Sequence, residues 1–194
     1  MIPQIPLAPL WARDLIVRLN REFRDLQASS EETGTQSIGG FSDQNNSGGA
    51  VSLSANTWLD LPNDGAGAFS NTDYLPANAT TLMDNSTGYI DPRELNLGDA
   101  ILIRNDFTIT PTINNALLEF QYSLGSGANT YTLPKTPFRL SAGAGVADRI
   151  VSSTDYIYMG DTNTRDSFIK IQIRCTAAAT VNNAGSVMQV LRGD

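Results

Sequence analysis

Hydrophobic and polar positions follow two different periods along this chain of 194 residues. From residue 51 onward the apolar residues recur at every second position. Ile101, Ile103, Phe107 and Ile109 alternate with Leu102, Arg104, Asp106 and Thr108. Leu118, Phe120, Tyr122 and Leu124 alternate with Glu119, Gln121 and Ser123, and Ile169, Ile171, Ile173 and Cys175 with Phe168, Lys170, Gln172 and Arg174. A looser alternation, Val51, Leu53, Ala55, Leu59 and Leu61, precedes them. A period of two puts successive side chains on opposite faces of a strand, so each stretch predicts a strand buried on one side. Further strands are expected near 81–90, 130–140, 150–159 and 185–192. Turn-forming runs separate many of them: Asn63-Asp64-Gly65, Gly125-Ser126-Gly127 and Asn182-Asn183-Ala184-Gly185. Eight or more short strands with no helical stretch between them predict an antiparallel β-sandwich or jelly roll over residues 50–194. No internal repeat is visible.

The first 28 residues follow the other period. Pro3, Pro6 and Pro9 keep residues 1–9 extended. Pro9 then suits a helix start, and neither Gly nor Pro follows until Gly34, which predicts a helix over 10–28. Ala12, Ile16, Leu19, Phe23 and Leu26 are spaced by 4, 3, 4 and 3, the a/d seam of a short coiled coil. Two readings stay open: an amphipathic helix packed on its own domain, or a self-associating or docking helix. Residues 29–49, polar apart from Ile38 and Phe41, read as a linker between helix and β domain.

Composition removes several function classes. The net charge of −7 argues against nucleic acid and anionic membrane as partners, since phosphate binding needs clustered Lys and Arg. Histidine is absent and Cys175 is the single cysteine, so the commonest general base and zinc ligand are missing and no intrachain disulfide can form. That suits synthesis in a reducing cytoplasm. The N-terminus lacks a basic region and is broken by prolines, so no signal peptide is expected. Asp43-Gln-Asn45-Asn-Ser47-Gly48 superficially resembles the start of a calcium loop, but Ser54 stands where the bidentate Glu belongs. Asp161-Thr-Asn163-Thr-Arg165-Asp166 reads more simply as a polar connection. No catalytic residue, metal site or cofactor is nominated, and an enzyme is not expected.

Two further surfaces stand out. Trp58, Leu102 and Phe168 are apolar residues on otherwise polar strand faces, which predicts that a second face is covered by another subunit. The trimer interface expected from both features comprises Ile16, Leu19, Phe23, Leu26, Trp58 and Phe168. Residues 1–28 hold four arginines against three acids, while the rest of the chain carries the whole acidic excess. Ile2, Ile5, Leu7, Leu10 and Trp11, beside Arg13 and Arg18, form an apolar strip preorganised by proline and suited to a groove on a protein partner.

The run Leu97-Gly-Asp-Ala-Ile-Leu-Ile-Arg-Asn-Asp-Phe-Thr-Ile-Thr-Pro111 resembles trimeric jelly-roll modules of tailed-bacteriophage virion proteins, related in shape to tumour-necrosis-factor-like jelly rolls. Asn115–Gly125 is similar to the next strand of that pattern, and Ile171–Arg174 with Gly185–Arg192 to its last two strands. The resemblance covers roughly residues 50–192 and is one of pattern. Pro9–Asn20 resembles a virion-attachment or trimerising helix. The resemblance implies a non-enzymatic homotrimer on the virion surface, a capsid decoration (cement) or head-fibre protein whose arm binds the major capsid protein. The alternative is a tail-fibre or receptor- or carbohydrate-binding knob using Tyr74, Tyr89, Tyr131, Tyr156 and Tyr158.

Overall fold

The computed structural model describes residues 40–141, 143–151 and 155–193. The expected arm, helix and seam (Ile2, Ile5, Leu7, Leu10, Trp11, Arg13, Ile16, Arg18, Leu19, Phe23 and Leu26) lie outside the described residues.

The strands at Ala100–Pro111, Leu117–Leu124 and Lys170–Cys175 follow the apolar alternation. In chain order the strands are β1 (Phe41–Asn45), β2 (Val51–Leu53), β3 (Leu59–Asp60), β4 (Asn71–Tyr74), β5 (Met83–Asp84), β6 (Tyr89–Ile90) and β7 (Ala100–Pro111). There follow β8 (Leu117–Leu124), β9 (Tyr131–Pro134), β10 (Phe138–Arg139), β11 (Asp148–Val151), β12 (Asp155–Tyr158), β13 (Lys170–Cys175) and β14 (Ala179–Leu191). The alternation over 51–61 is carried by two strands, because the chain turns at Asn56 (φ 58°), whose N–H donates to Cys175 O.

All pairings are antiparallel. The larger sheet runs β11–β7–β14–β1–β4, with β12 also on β7 and β2 also on β14. The smaller runs β10–β8–β13–β3, with β9 also on β8. Longer strands change sheets along the chain: β7 lies in the larger, β8 in the smaller, β12 in the larger, β13 in the smaller and β14 in the larger. The first strand lies beside the last. This order is a jelly roll, antiparallel and mainly β. Between the sheets lie Ile101, Ile103, Phe107 and Ile109 from β7, facing Leu118, Phe120, Tyr122 and Leu124 from β8 and Ile171, Ile173 and Cys175 from β13. Phe107 stacks on Phe120 across the sandwich at 6.3 Å, and Phe120 meets Tyr122 edge-on at 5.1 Å.

Two expectations are corrected. The linker expected over 29–49 contains a strand: β1 pairs with β14 on one side and β4 on the other. Its pattern is inverted, with Ser42 and Gln44 buried and Phe41 outside. The buried polar groups are satisfied locally. Gln44 Nε2 donates to Ser42 Oγ at 2.9 Å, and Asn63 Nδ2 donates to Gln44 O. Asn182–Gly185, expected to turn, instead lies inside β14 as a bulge, where the register shifts between Asn183 and Gly185. Asn183 points inward, and its Nδ2 donates to Pro62 O at 2.8 Å.

Candidate functional site

The outer faces of the two sheets differ in kind. On the smaller sheet, the polar side chains opposite the core bond to one another in two groups. Arg174 makes two bonds to Glu119, at 2.5 and 2.9 Å. Gln121 Nε2 donates to Gln172 Oε1 at 2.8 Å, and Gln172 Nε2 to Asp60 Oδ1 at 2.7 Å. Asp60 Oδ2 accepts from Tyr89 OH at 2.7 Å and pairs with Lys170 at 3.3 Å. Burial works to raise the Asp60 carboxyl, but the hydrogen bonds from Gln172 and Tyr89 and the Lys170 charge outweigh it and hold the group below its ordinary value. Trp58 and Phe168 border this network. Each is half-buried with a guanidinium over its ring, Arg174 at 4.9 Å from Trp58 and Arg93 at 4.6 Å from Phe168. They share this face, and Leu102 lies on the other sheet.

The outer face of the larger sheet has an apolar half. Strand register aligns Tyr74, Phe41, Gln189, Leu102 and Tyr156 in one row across β4, β1, β14, β7 and β12. Tyr158 and Leu191 lie two positions along, flanking Ala100. Phe41, Tyr74, Tyr156 and Tyr158 are 40–68% exposed, unlike the neighbouring core positions Ile101, Ile103 and Ile157, which are 0–2% exposed. The row lies at the end where residue 40 joins the sheet, as Val190 N–H donates to Gly40 O. Beyond it the face turns polar, with Asp43, Arg104 and Asp106. Arg104 Nη2 meets Asp106 Oδ2 at 2.5 Å. Burial pushes the Asp43 carboxyl up, Arg104 opposes this, and Asp106 adds to it.

The sandwich is open along one side, where the β9–β10 edge meets the β11–β12 edge. Tyr131, Leu133 and Phe138 pair with Leu124, Tyr122 and Leu118, all core residues, yet are 36–39% exposed. A polar clasp crosses this seam: Asp155, buried, accepts from Tyr122 OH at 2.8 Å and pairs with Lys135.

The aromatics singled out in the sequence are therefore not gathered at one end. Tyr74, Tyr156 and Tyr158 belong to the apolar face, Tyr89 to the Asp60 network, and Tyr131 to the seam, where its OH meets Thr164 Oγ1 at 2.7 Å. Neither calcium-like run gathers ligands. Asp43 and Asn45 bond to one another within β1 at 3.1 Å, and Asp161 Oδ1 caps the short helix Thr162–Arg165 by accepting from Thr164 N. Among the described residues no group of three His, Cys, Asp or Glu is placed to hold a metal ion. A cleft of about 270 Å³ between Leu61, Pro62, Asn85 and Gly88 has walls whose amides Asn46 and Asn183 are already engaged by the backbone. Sequence reasoning missed Phe41 as a surface residue because it assigned no strand there.

No family model matches the chain, and no curated protein matches it in sequence. Among solved structures it is similar to Eiger TNF from S. frugiperda, at 10% identity over 81% of this chain and 94% of that one, with a TM-score of 0.45. It is also similar to the infectious bursal virus chain of T=1 particles, at 12% identity over 75% of this chain and 31% of that one, TM-score 0.38. The Gx strain of infectious bursal disease virus gives 10% identity, 79% and 31% coverage, and 0.36. At such scores the jelly roll rests on the strand order above rather than on these likenesses.

Proposed function

We propose that this chain is a non-enzymatic structural protein of a virion, a homotrimer that decorates the head of a tailed bacteriophage and is held there by its N-terminal arm. The observation that carries the reading is the apolar row on the larger sheet. Aromatic side chains on β4, β1 and β12, in register with Gln189 and Leu102 and left in water, mark an association surface. The row lies where residues 1–39 join the sandwich, so the a/d positions of the N-terminal segment and this face follow one another along the chain. In this reading the sheets meet partners at the row, not at Trp58 and Phe168, whose rings already carry guanidinium caps. Three arms on one trimer engage three neighbouring capsid subunits, so modest contacts combine through multivalency.

Light scattering of the full chain at micromolar concentration is expected to give a trimer mass, and a monomer mass overturns the reading. Purified heads should carry the protein in hundreds of copies; a few copies confined to the tail would favour a receptor-binding knob. Deleting residues 1–11 should abolish binding to heads and leave the melting temperature nearly unchanged. A truncated protein that still saturates heads shows that the arm is not the anchor.

A further inference from the structure

At the edge of the larger sheet away from the seam, a hollow of about 340 Å³ opens between β1, the turn at Gly65, the start of β4 and the segment from Thr80 to Asn85. Its side chains are amides and hydroxyls, and no charged group lines it. Part of the wall is fixed by its own bonds. Ser70 Oγ accepts from Asn45 N–H at 3.0 Å, Thr80 Oγ1 donates to Glu94 Oε1 at 2.9 Å, and Thr81 Oγ1 donates to Met83 O at 2.9 Å.

Other groups in the wall are left over. Gln44 is 3% exposed, and its Nε2 is committed to Ser42 Oγ. Asn71 Oδ1 is committed to Asp73 N–H at 2.8 Å. Among the described residues, Gln44 Oε1, Asn71 Nδ2, Thr72 Oγ1 and the side-chain amide of Asn85 have no hydrogen-bond partner. A Cβ built on Gly65 would lie 2.6 Å from Gln44 Oε1 and 2.6 Å from Asn85 Oδ1. Two acceptors therefore converge above a residue with no side chain. A buried acceptor without a donor costs free energy, and a ligand that brings the donor removes that cost.

The unmet groups define the ligand. It donates to Gln44 and Asn85, accepts from Asn71 and Thr72, and carries no charge, since a charged ligand would be desolvated against walls that offer no counter-charge. Asn85 also lines the cleft of about 270 Å³, whose other walls include Val51, Leu61 and Pro62, so the polar hollow runs on into an apolar one. Closely spaced hydroxyls on rings with apolar C–H faces match both parts. We propose that this hollow binds a neutral saccharide, whose hydroxyls bond to Gln44, Asn71, Thr72 and Asn85 while a C–H face lies toward Leu61 and Pro62. The proposal uses none of the exposed tyrosines and does not rest on the homotrimer reading.

Amide chemical shifts of the isotope-labelled full chain test it, in titrations with glucose, galactose, mannose, N-acetylglucosamine and the neutral polymers dextran and mannan. At least one of these is expected to shift Gly65, Asn71, Thr72 and Asn85. Asn85→Ala and Thr72→Val should each weaken that binding about tenfold, the loss of one hydrogen bond. Both residues are exposed and neither side chain bonds to the protein, so the melting temperature should not change. Glucuronate and glucosamine should bind more weakly than the neutral sugars. Binding of a polymer points to a polysaccharide as the source and binding of monomers alone to a free sugar; either supports the site. The proposal is overturned if no sugar shifts these residues, if the shifts fall elsewhere, if both variants bind as the unaltered chain does, or if a charged sugar binds more tightly.

Discussion

Gly185 has φ 137°, in the region that side chains rarely adopt, and this angle lets β14 absorb one extra residue and continue to Leu191. A Cβ at this position would lie 2.5 Å from Gln44 O and 2.8 Å from Asn45 Cα, both backbone atoms of β1. Gly185→Ala therefore strains the backbone and pushes β1 away, at a cost of at least about 1–3 kcal/mol. For a domain of this size that lowers the melting temperature by several degrees, which a thermal scan reads directly. An unchanged melting temperature would mean that β1 and the bulge are not packed as described. The same residue explains a misreading. Asn182-Asn183-Ala184-Gly185 has the composition of a turn, and only tertiary structure shows that Asn183 serves inward, holding Pro62. Trp58 and Phe168 were legible as apolar residues on a polar face. Their guanidinium caps were not, because Arg93 is 75 residues from Phe168 in sequence and reaches it only through the fold.

At the scale of elements, β8 and β13 were legible almost residue by residue, since one face is packed and the other carries charge. β1 was not. Its sequence, Phe-Ser-Asp-Gln-Asn, places polar residues inward and the aromatic outward, the reverse of the pattern that identifies strands. The inversion is tolerable because the buried Gln44 amide donates to Ser42 Oγ within β1, while Asn63 Nδ2 donates to the Gln44 carbonyl. A chain starting at Gly49 would lack β1. It would expose one flank of β14, strip β4 of its strand partner among the described residues and remove Phe41 from the apolar row. Such a truncation is expected to aggregate or to lose its cooperative transition in circular dichroism, while one starting at Ser37 melts as a unit. Equal melting of the two would show that β1 adds nothing to the sandwich.

For the whole molecule, acid lowers stability. Asp60, Asp64, Asp84, Glu94, Glu119, Asp161 and Asp166 are all held below their ordinary values by hydrogen bonds that outweigh burial. A depressed carboxyl contributes stability above its unfolded value and loses it as pH falls through its folded one. Asp43, raised by burial, acts in the opposite direction. The melting temperature should therefore fall as pH drops through and below the ordinary carboxylate range, near 4. Glu119→Gln, which removes the partner of Arg174, should flatten part of that decline; a steeper decline in this variant contradicts the assignment. The placement of β1 bears on a different property, the response to mechanical load. Consider a pull applied at residue 40 along the axis of β1. Antiparallel hydrogen bonds lie perpendicular to that axis. The five positions paired with β14 must then slide together, and cannot unzip one after another. Such a pull loads the sandwich in shear, the direction in which a ladder of strand pairs resists most.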